Sequence, residues 1–207
     1  MAHDITEWII RLGVLLFAIT VHEYAHGRVA FALGDPTAKN AGRLTLNPVS
    51  HIDPLGALCL FLFRFGWAKP VPIDLRYFRN PRMGSFLVSL SGPLANLAAA
   101  FAAGMIFRFF LFPSELYITL LVTFMLMNIG LGIFNLLPVP PLDGSHILES
   151  FLPYKALQKY REVGRYAPLV LIGIFLADRF LQTGIIFSVL FQPMRYLLWL
   201  FSGLWLR

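Results

Sequence analysis

The stretch Val21-His22-Glu23-Tyr24-Ala25-His26-Gly27 lies inside a long apolar run over residues 5–33. The run is long enough to cross a bilayer as a helix, since about 20 residues suffice. Residues four apart share one face of a helix, so His22 and His26 can converge on one metal ion. Glu23 lies beside the first histidine, where it can reach a metal-bound water without being a ligand. The spacing therefore indicates the geometry of a zinc hydrolase.

The apolar surroundings of these three side chains bear on that interpretation. A charged residue inside a membrane costs at least about 2.5 kcal/mol on insertion scales, and such residues usually mark function. The alternative is a pair of polar residues that face a bundle interior, and the five-residue pattern alone occurs in many proteins by chance. An idle Glu23 would be costly here, so the metal interpretation is favoured.

The composition is that of an integral membrane protein. Of the 207 residues, 57% are hydrophobic and only 14% are charged, whereas soluble domains carry about 25% charged residues. We therefore expect a single membrane domain over residues 1–207, with no separate soluble module. The formal charge of +6 reflects basic residues beside apolar segments, and nucleic-acid binding is not expected. Cys59 is the only cysteine, which excludes an intrachain disulfide and a cysteine-based zinc site.

The distribution of apolar runs predicts an all-α polytopic protein, a bundle of about four to six transmembrane helices. The first run lacks a basic n-region and a cleavage site and should remain as a membrane helix. The later runs are 83–112, 116–137, 167–191 and a short final one at 194–206. Small residues in the second run predict a central position in the bundle, and Pro93 should bend it.

Residues 55–65 form an apolar segment about half as long as a membrane-spanning helix. The prolines that follow, Pro70 and Pro72, favour extended chain over residues 66–74. Two loops are rich in lysine and arginine, one after the first long run and one after the run over residues 116–137. If the short segment does not cross, both of these basic loops fall on the same side of the membrane. The positive-inside rule then places those loops in the cytoplasm, so we expect a re-entrant or membrane-dipping segment.

A catalytic zinc uses three protein ligands and an open position for water. Asp143 is the strongest candidate for the third ligand, because Pro138, Pro140 and Pro141 break the helix just before it. It also lies at a depth that matches the two histidines. Alternatives are a role for Asp143 as a turn or N-cap residue, and His146 as the ligand in its place.

These motifs together resemble the site-2 protease family of intramembrane zinc metalloproteases, in its small prokaryotic form without PDZ-like or cystathionine-synthase-type domains. The resemblance covers residues 22–147. The matching stretches are His22-Glu23-Tyr24-Ala25-His26, Asn47-Pro48, His51-Ile52-Asp53-Pro54-Leu55-Gly56, Gly66-Trp67-Ala68-Lys69-Pro70-Val71-Pro72, Ser91-Gly92-Pro93 and Leu142-Asp143-Gly144.

The resemblance implies one zinc per chain, held by His22, His26 and Asp143, with Glu23 as the catalytic glutamate. It implies regulated intramembrane proteolysis of transmembrane protein or peptide substrates at the plasma membrane, with the active site toward the cytoplasm. The catalytic core would cover about residues 5–150, and C-terminal helices over residues 166–206 would follow it. Asn135 matches an asparagine thought to orient substrate near the metal. The substrate-binding residues predicted are Asn135 and Pro140, while residues 67–72 resemble an extended segment near the substrate path.

Ser91-Gly92-Pro93 and Asn96 are expected to pack helices rather than to do chemistry. The rival functions are a catalytically inactive membrane scaffold and a metal-binding or transport protein. A di-iron oxidase would need more than the five histidines present. Serine proteolysis of the rhomboid type lacks its Gly-x-Ser-x-Gly motif. Two histidines and a carboxylate suit zinc but would also hold other divalent ions.

Overall fold

The structure, a computed structural model, describes residues 2–63, 66–110, 112 and 114–204, and this part of the chain is helical with no strand. The all-α prediction is therefore confirmed. The helices are α1 (Ala2–Ala32), α2 (Thr37–Asn40), α3 (Pro54–Phe63), α4 (Pro81–Phe109), α5 (Glu115–Asn135), α6 (Asp143–Phe151), α7 (Tyr154–Gly164), α8 (Ala167–Leu181) and α9 (Ile185–Ser202). Two short 3₁₀ turns, Pro48–His51 and Leu75–Tyr77, lie between α2 and α4.

Three helices of the described chain are long and apolar enough to cross a membrane. They are residues Ile5–Ala32 of α1, the whole of α4 and the whole of α5. Large apolar side chains such as Trp8, Leu94 and Phe109 stay at least half exposed on them, as expected of surfaces that face lipid rather than water. The chain is thus a membrane protein.

Helix α4 is the centre of the bundle, as its small residues predict. It packs against α1, α5, α6 and α9, and it continues through Pro93 as one helix. Gly104 brings its backbone close to α9, because a Cβ there would lie 2.8 Å from the Cβ of Phe201. On that side Phe107 of α4, Met125 and Ile129 of α5, and Leu198 of α9 form a buried apolar cluster.

The two ends of the short segment after the first span lie close together. Helix α3 has 10 residues, or about 15 Å of helix, which is half the thickness of a bilayer core. Ile52 before it forms an antiparallel bridge with Ala68 after it. Gly66 lies so close to Gly56 that a Cβ on Gly66 would be 2.3 Å from the Gly56 carbonyl oxygen. Both ends of the segment therefore meet, as expected of a segment that does not cross. Residues 64 and 65 of the predicted run lie outside the described part.

The apolar run over residues 167–191 is not one helix, contrary to the sequence expectation. It is divided into α8 and α9 at Gln182 and Gly184, whose φ angles of 51° and 63° are left-handed. A left-handed residue ends a helix, and glycine adopts that conformation readily. Of the final run expected over 194–206, residues 194–202 are the end of α9, and Gly203 and Leu204 follow the helix. Residues 205 and 206 lie outside the described part, as do 111 and 113 between α4 and α5.

Candidate metal centre

Two elements far apart in sequence bring three potential ligands together. His22 and His26 lie one turn apart on α1, and Asp143 is the first residue of α6. The Nε2 atom of His22 is 2.9 Å from Oδ2 of Asp143, and the Nε2 atom of His26 is 3.3 Å from the same oxygen. The two histidines are buried. These three residues are the group that the described part of the chain could offer to a metal ion.

The donor atoms of these three residues lie close enough together to share one zinc ion. Zinc binds histidine nitrogen and carboxylate oxygen at about 2.0–2.2 Å, so two tetrahedral ligand atoms lie about 3.3–3.6 Å apart. The distance from His26 to Asp143, 3.3 Å, is at the lower end of this range, and the distance from His22 to Asp143, 2.9 Å, is shorter than the range. Two histidines and a carboxylate form the donor set of several zinc hydrolases, and a fourth position is left for water.

A chain of hydrogen bonds across three helices determines which nitrogen of His22 is free for a metal. Asn96 of α4 donates through Nδ2 to the carbonyl of Ala18 and to Oδ1 of Asn128, each at 2.9 Å. Because a carbonyl oxygen only accepts, Oδ1 of Asn96 must face His22. The Nδ1 atom of His22 lies 2.6 Å from that oxygen and therefore carries the proton. Its Nε2 faces Asp143, as a metal ligand requires.

His26 is oriented in the same way by the backbone. Its Nδ1 is 2.7 Å from the carbonyl oxygen of Val88, so Nδ1 donates and Nε2 again faces Asp143. The hydroxyl of Ser91 donates to the same carbonyl at 2.6 Å. Both imidazoles thus have the outer hydrogen-bond partner that is usual for histidine ligands.

Gly92 supplies the space for the two imidazoles. A Cβ on this residue would lie 2.5 Å from Nε2 of His26 and 2.7 Å from Cε1 of His22. No side chain fits at such distances, so α4 can approach the site only with glycine here. The sequence assigned Gly92 and Asn96 to helix packing, but the structure places both directly against the histidines.

Asp143 is positioned by the proline-rich turn that follows α5. The next residue, Gly144, packs so tightly that a Cβ would lie 2.2 Å from the carbonyl oxygen of Leu136. Burial by itself would raise the pKa of Asp143, but hydrogen bonding and charge interaction with His22 and His26 outweigh it and lower that pKa to about 2. The carboxyl group is therefore ionised, which is the form that binds metal.

Glu23 lies beside the three ligands and has a different partner. Its Oε2 accepts a hydrogen bond from the backbone N–H of Val71 at 2.8 Å. One carboxylate oxygen is thereby held in the extended segment that follows α3. Within the described residues, the other carboxylate oxygen has no hydrogen-bond partner.

Of the two predicted substrate-binding residues, Asn135 lies at the end of α5 and Pro140 lies in the connection between α5 and α6. Asn135 is the last residue of α5, and its side-chain amide donates to the carbonyl of Leu131 in the same helix. Pro140 lies against α7, where a Cβ on Gly164 would be 3.0 Å from its Cγ. Their part in substrate binding stays a prediction. His146, the alternative ligand, is exposed on α6 and is not in the potential metal group.

Sequence reasoning did not find Asn96 and Asn128 as supports of the site. The available signal was that each is a polar side chain inside an apolar run, where an unpaired amide is costly. That signal indicates that each amide has a hydrogen-bond partner but does not identify the partner, because 74 residues separate Asn96 from His22.

Similarity to known proteins agrees with the geometry of the site. The sequence model of peptidase family M50 matches residues 113–176, which include Asp143. The chain is 36% identical to "Putative zinc metalloprotease YwhC" of Bacillus subtilis over 87% of this chain and 91% of that protein. It is 30% identical to "Putative zinc metalloprotease Rip2" of Mycobacterium tuberculosis H37Rv, over 78% of this chain and 64% of that protein.

A more distant relative, "Zinc metalloprotease MJ0392" of Methanocaldococcus jannaschii, is 25% identical over 72% of this chain and 36% of that protein. No solved structure matches the chain. The identity to the Bacillus protein, which extends over most of both chains, shows that this chain belongs to the site-2 protease family of zinc metalloproteases, peptidase family M50.

Proposed function

We propose that this chain is an intramembrane zinc endopeptidase that hydrolyses peptide bonds in or near the transmembrane segments of membrane proteins. The observation that carries the proposal is the position of the potential metal site on a membrane-spanning helix. His26 and His22 lie six and ten residues before the end of α1 at Ala32, which corresponds to about 9 and 15 Å along the helix. A peptide bond that reaches them must therefore enter the thickness of the membrane.

The roles of the residues follow from their chemistry. His22, His26 and Asp143 would hold one zinc per chain. When bound, zinc polarises a water and the carbonyl of the bond to be cut. Glu23 accepts the proton of the attacking water on its carboxylate and then donates it to the leaving nitrogen. Since water itself is the nucleophile, no covalent enzyme intermediate is required.

The substrate class follows from the depth of the site. A transmembrane helix keeps its carbonyls in internal hydrogen bonds, so the substrate must unwind locally before water can attack. Asn135 and Pro140 would contact the unwound segment beside the site. Substrates with helix-weakening residues near the cut should be cleaved faster than matched, strongly helical ones. Equal rates for both would count against the unwinding step.

The orientation in the membrane follows from the basic residues. The connection between α1 and α4 and the region after α5 lie at the same end of the three long helices, and each carries several lysines and arginines. By the positive-inside rule both belong in the cytoplasm of a cell with the protein in its plasma membrane. The site would then open toward the cytoplasm. We propose one membrane domain for residues 1–207, with a catalytic core over residues 5–150 and C-terminal helices over 166–206.

The decisive experiment uses the purified protein in detergent with a model transmembrane substrate. Wild type, Glu23→Gln and Glu162→Gln are compared for cleavage, and bound zinc is measured in each. Glu162 is an exposed glutamate on α7 and serves as the matched control. We expect about one zinc per chain in all three proteins and loss of cleavage in Glu23→Gln alone. Folded wild type without zinc and without cleavage would overturn the proposal in favour of a scaffold.

A further inference from the structure

An extended segment, residues 69–72, lies against the face of α1 that carries Glu23. We call it the strap. The Val71 N–H donates to the Glu23 carboxylate, and the Val71 side chain packs at Gly27, where a Cβ would lie 3.2 Å from Cγ1 of Val71. Val71 itself is 6% exposed. The strap therefore contacts α1 immediately next to the potential metal ligands.

Arg43 binds the strap through its guanidinium group. Its Nη2 donates to the carbonyl of Lys69 at 2.7 Å and to the carbonyl of Pro70 at 3.3 Å. The Arg43 side chain is nearly buried, and its Nε has no hydrogen-bond partner in the described part of the chain. A buried guanidinium with an unpaired N–H is costly. The two main-chain carbonyls of the strap offset part of this cost, because they accept hydrogen bonds from Nη2 of the same guanidinium.

The strap has no N–H left for another chain. The Lys69 N–H donates to the carbonyl of His51 at 3.0 Å, and the Val71 N–H donates to Glu23. Pro70 and Pro72 have no N–H. A substrate that added to the strap as a strand would need such donors. The hydrogen bonds of the strap point instead to Arg43, His51 and Glu23.

We infer that Arg43 is a positioning residue for catalysis, which acts through the strap to hold the Val71 N–H on the carboxylate of Glu23. The inference rests on the proposed function, because it assigns a cause to the orientation of the catalytic base. Arg43 contacts Lys69 and Pro70, the two residues before the donor, so its loss would free the backbone that presents that donor. The Glu23 carboxylate could then rotate away from the orientation in which it accepts a proton from the water.

Two matched pairs of variants test this. Val71→Pro removes the N–H donor, whereas Val71→Ala keeps the N–H and removes only the two methyl groups of the side chain. Arg43→Gln removes the contacts to the strap, whereas Arg79→Gln changes an exposed arginine of the same loop. A hydrogen bond to a charged group corresponds to about a 10- to 100-fold effect. We expect kcat to fall by that factor in Val71→Pro and Arg43→Gln, with KM and bound zinc within about twofold of their controls.

A second readout does not require activity. Hydrogen exchange is measured on the peptide that covers the strap, in protein with and without metal. The strap has two exchangeable amides, those of Lys69 and Val71, and both are hydrogen-bonded. In Arg43→Gln we expect both amides to exchange at least about tenfold faster than in wild type and Arg79→Gln. Without the Arg43 contacts the strap can open locally, while the rest of the protein stays folded.

The outcomes separate this inference from the proposed function. If wild type cleaves and Val71→Pro matches Val71→Ala in kcat, the role of the strap is refuted while the protease stands. Wild-type exchange in Arg43→Gln refutes the link from Arg43 to the strap. If wild type does not cleave, the proposed function and the catalytic role fall together. Exchange then still decides whether Arg43 holds the strap.

Discussion

Replacement of Asn96 by leucine tests whether the hydrogen-bond chain across α1, α4 and α5 prepares the histidines for metal. Asn96 is fully buried and makes contacts with His22, Ala18 and Asn128. Leucine has a similar shape but can neither accept from Nδ1 of His22 nor donate to Asn128. We expect Asn96→Leu to bind zinc more weakly and to unfold more easily than wild type.

The magnitudes follow from the groups left unpaired. Two buried side-chain groups lose their partner, Nδ1–H of His22 and Oδ1 of Asn128, at about 1–3 kcal/mol each. The apolar contacts of the new leucine offset about 2 kcal/mol, so the net loss of stability is at most about 4 kcal/mol. The loss of an outer partner of a ligating histidine lowers metal affinity by about 10- to 100-fold.

The assay is a zinc competition titration against a chromophoric chelator, with thermal unfolding of the same samples in detergent. Asn128→Leu is the matched control, because it removes the same amide one step further from the metal. In that variant Asn96 still contacts His22 and Ala18, so we expect a stability loss with a clearly smaller change in zinc affinity. Wild-type zinc affinity in Asn96→Leu would refute the idea that this chain of hydrogen bonds orients His22.

Three further substitutions have outcomes that follow directly from the structure. Gly92→Ala should lose most of its bound zinc in metal analysis, because its Cβ would lie 2.5 Å from Nε2 of His26. The control Gly13→Ala should keep its zinc, because nothing lies within 4 Å of a Cβ at that position. Asp143→Ala should lower zinc affinity in the same titration by more than the roughly 10- to 100-fold of an outer partner, and unchanged affinity would remove Asp143 from the ligand set. Glu149→Gln breaks an ion pair with Arg161 of α7, whose side chain is largely exposed, so thermal unfolding should show a change below about 1 kcal/mol. A larger loss would mean that α7 stabilises the core.

The sequence predicted the long helices well because their signals are local. The runs expected over 83–112 and 116–137 correspond to α4 and α5 with shifts of one to three residues at their ends. Apolar length and turn residues act on the segment in which they occur. The division between α8 and α9 was missed because polar residues alone do not mark a helix end, as Asp178 and Arg179 inside α8 show, although Gly184 offered a stop signal.

The metal site was partly predictable for a related reason. The helical spacing of His22 and His26 is local information, and the prolines before Asp143 indicated a break at the right depth. The hydrogen bond from Val71 to Glu23 had no signal, because any residue except proline offers a backbone N–H. Contacts of this kind depend on how the bridge between Ile52 and Ala68 returns the chain to α1, which the sequence expectation did not include.

The separation of His22 from Asp143 by 121 residues also has a consequence during synthesis. At about 5–20 residues per second, the ribosome adds Asp143 about 6–24 s after His22. During that interval the chain has its first histidines and glutamate in place but lacks the carboxylate that completes the ligand set. On the proposed function, hydrolytic capacity would arise only after α4 and α5 have been made, and a partly synthesised chain would not cut its neighbours in the membrane.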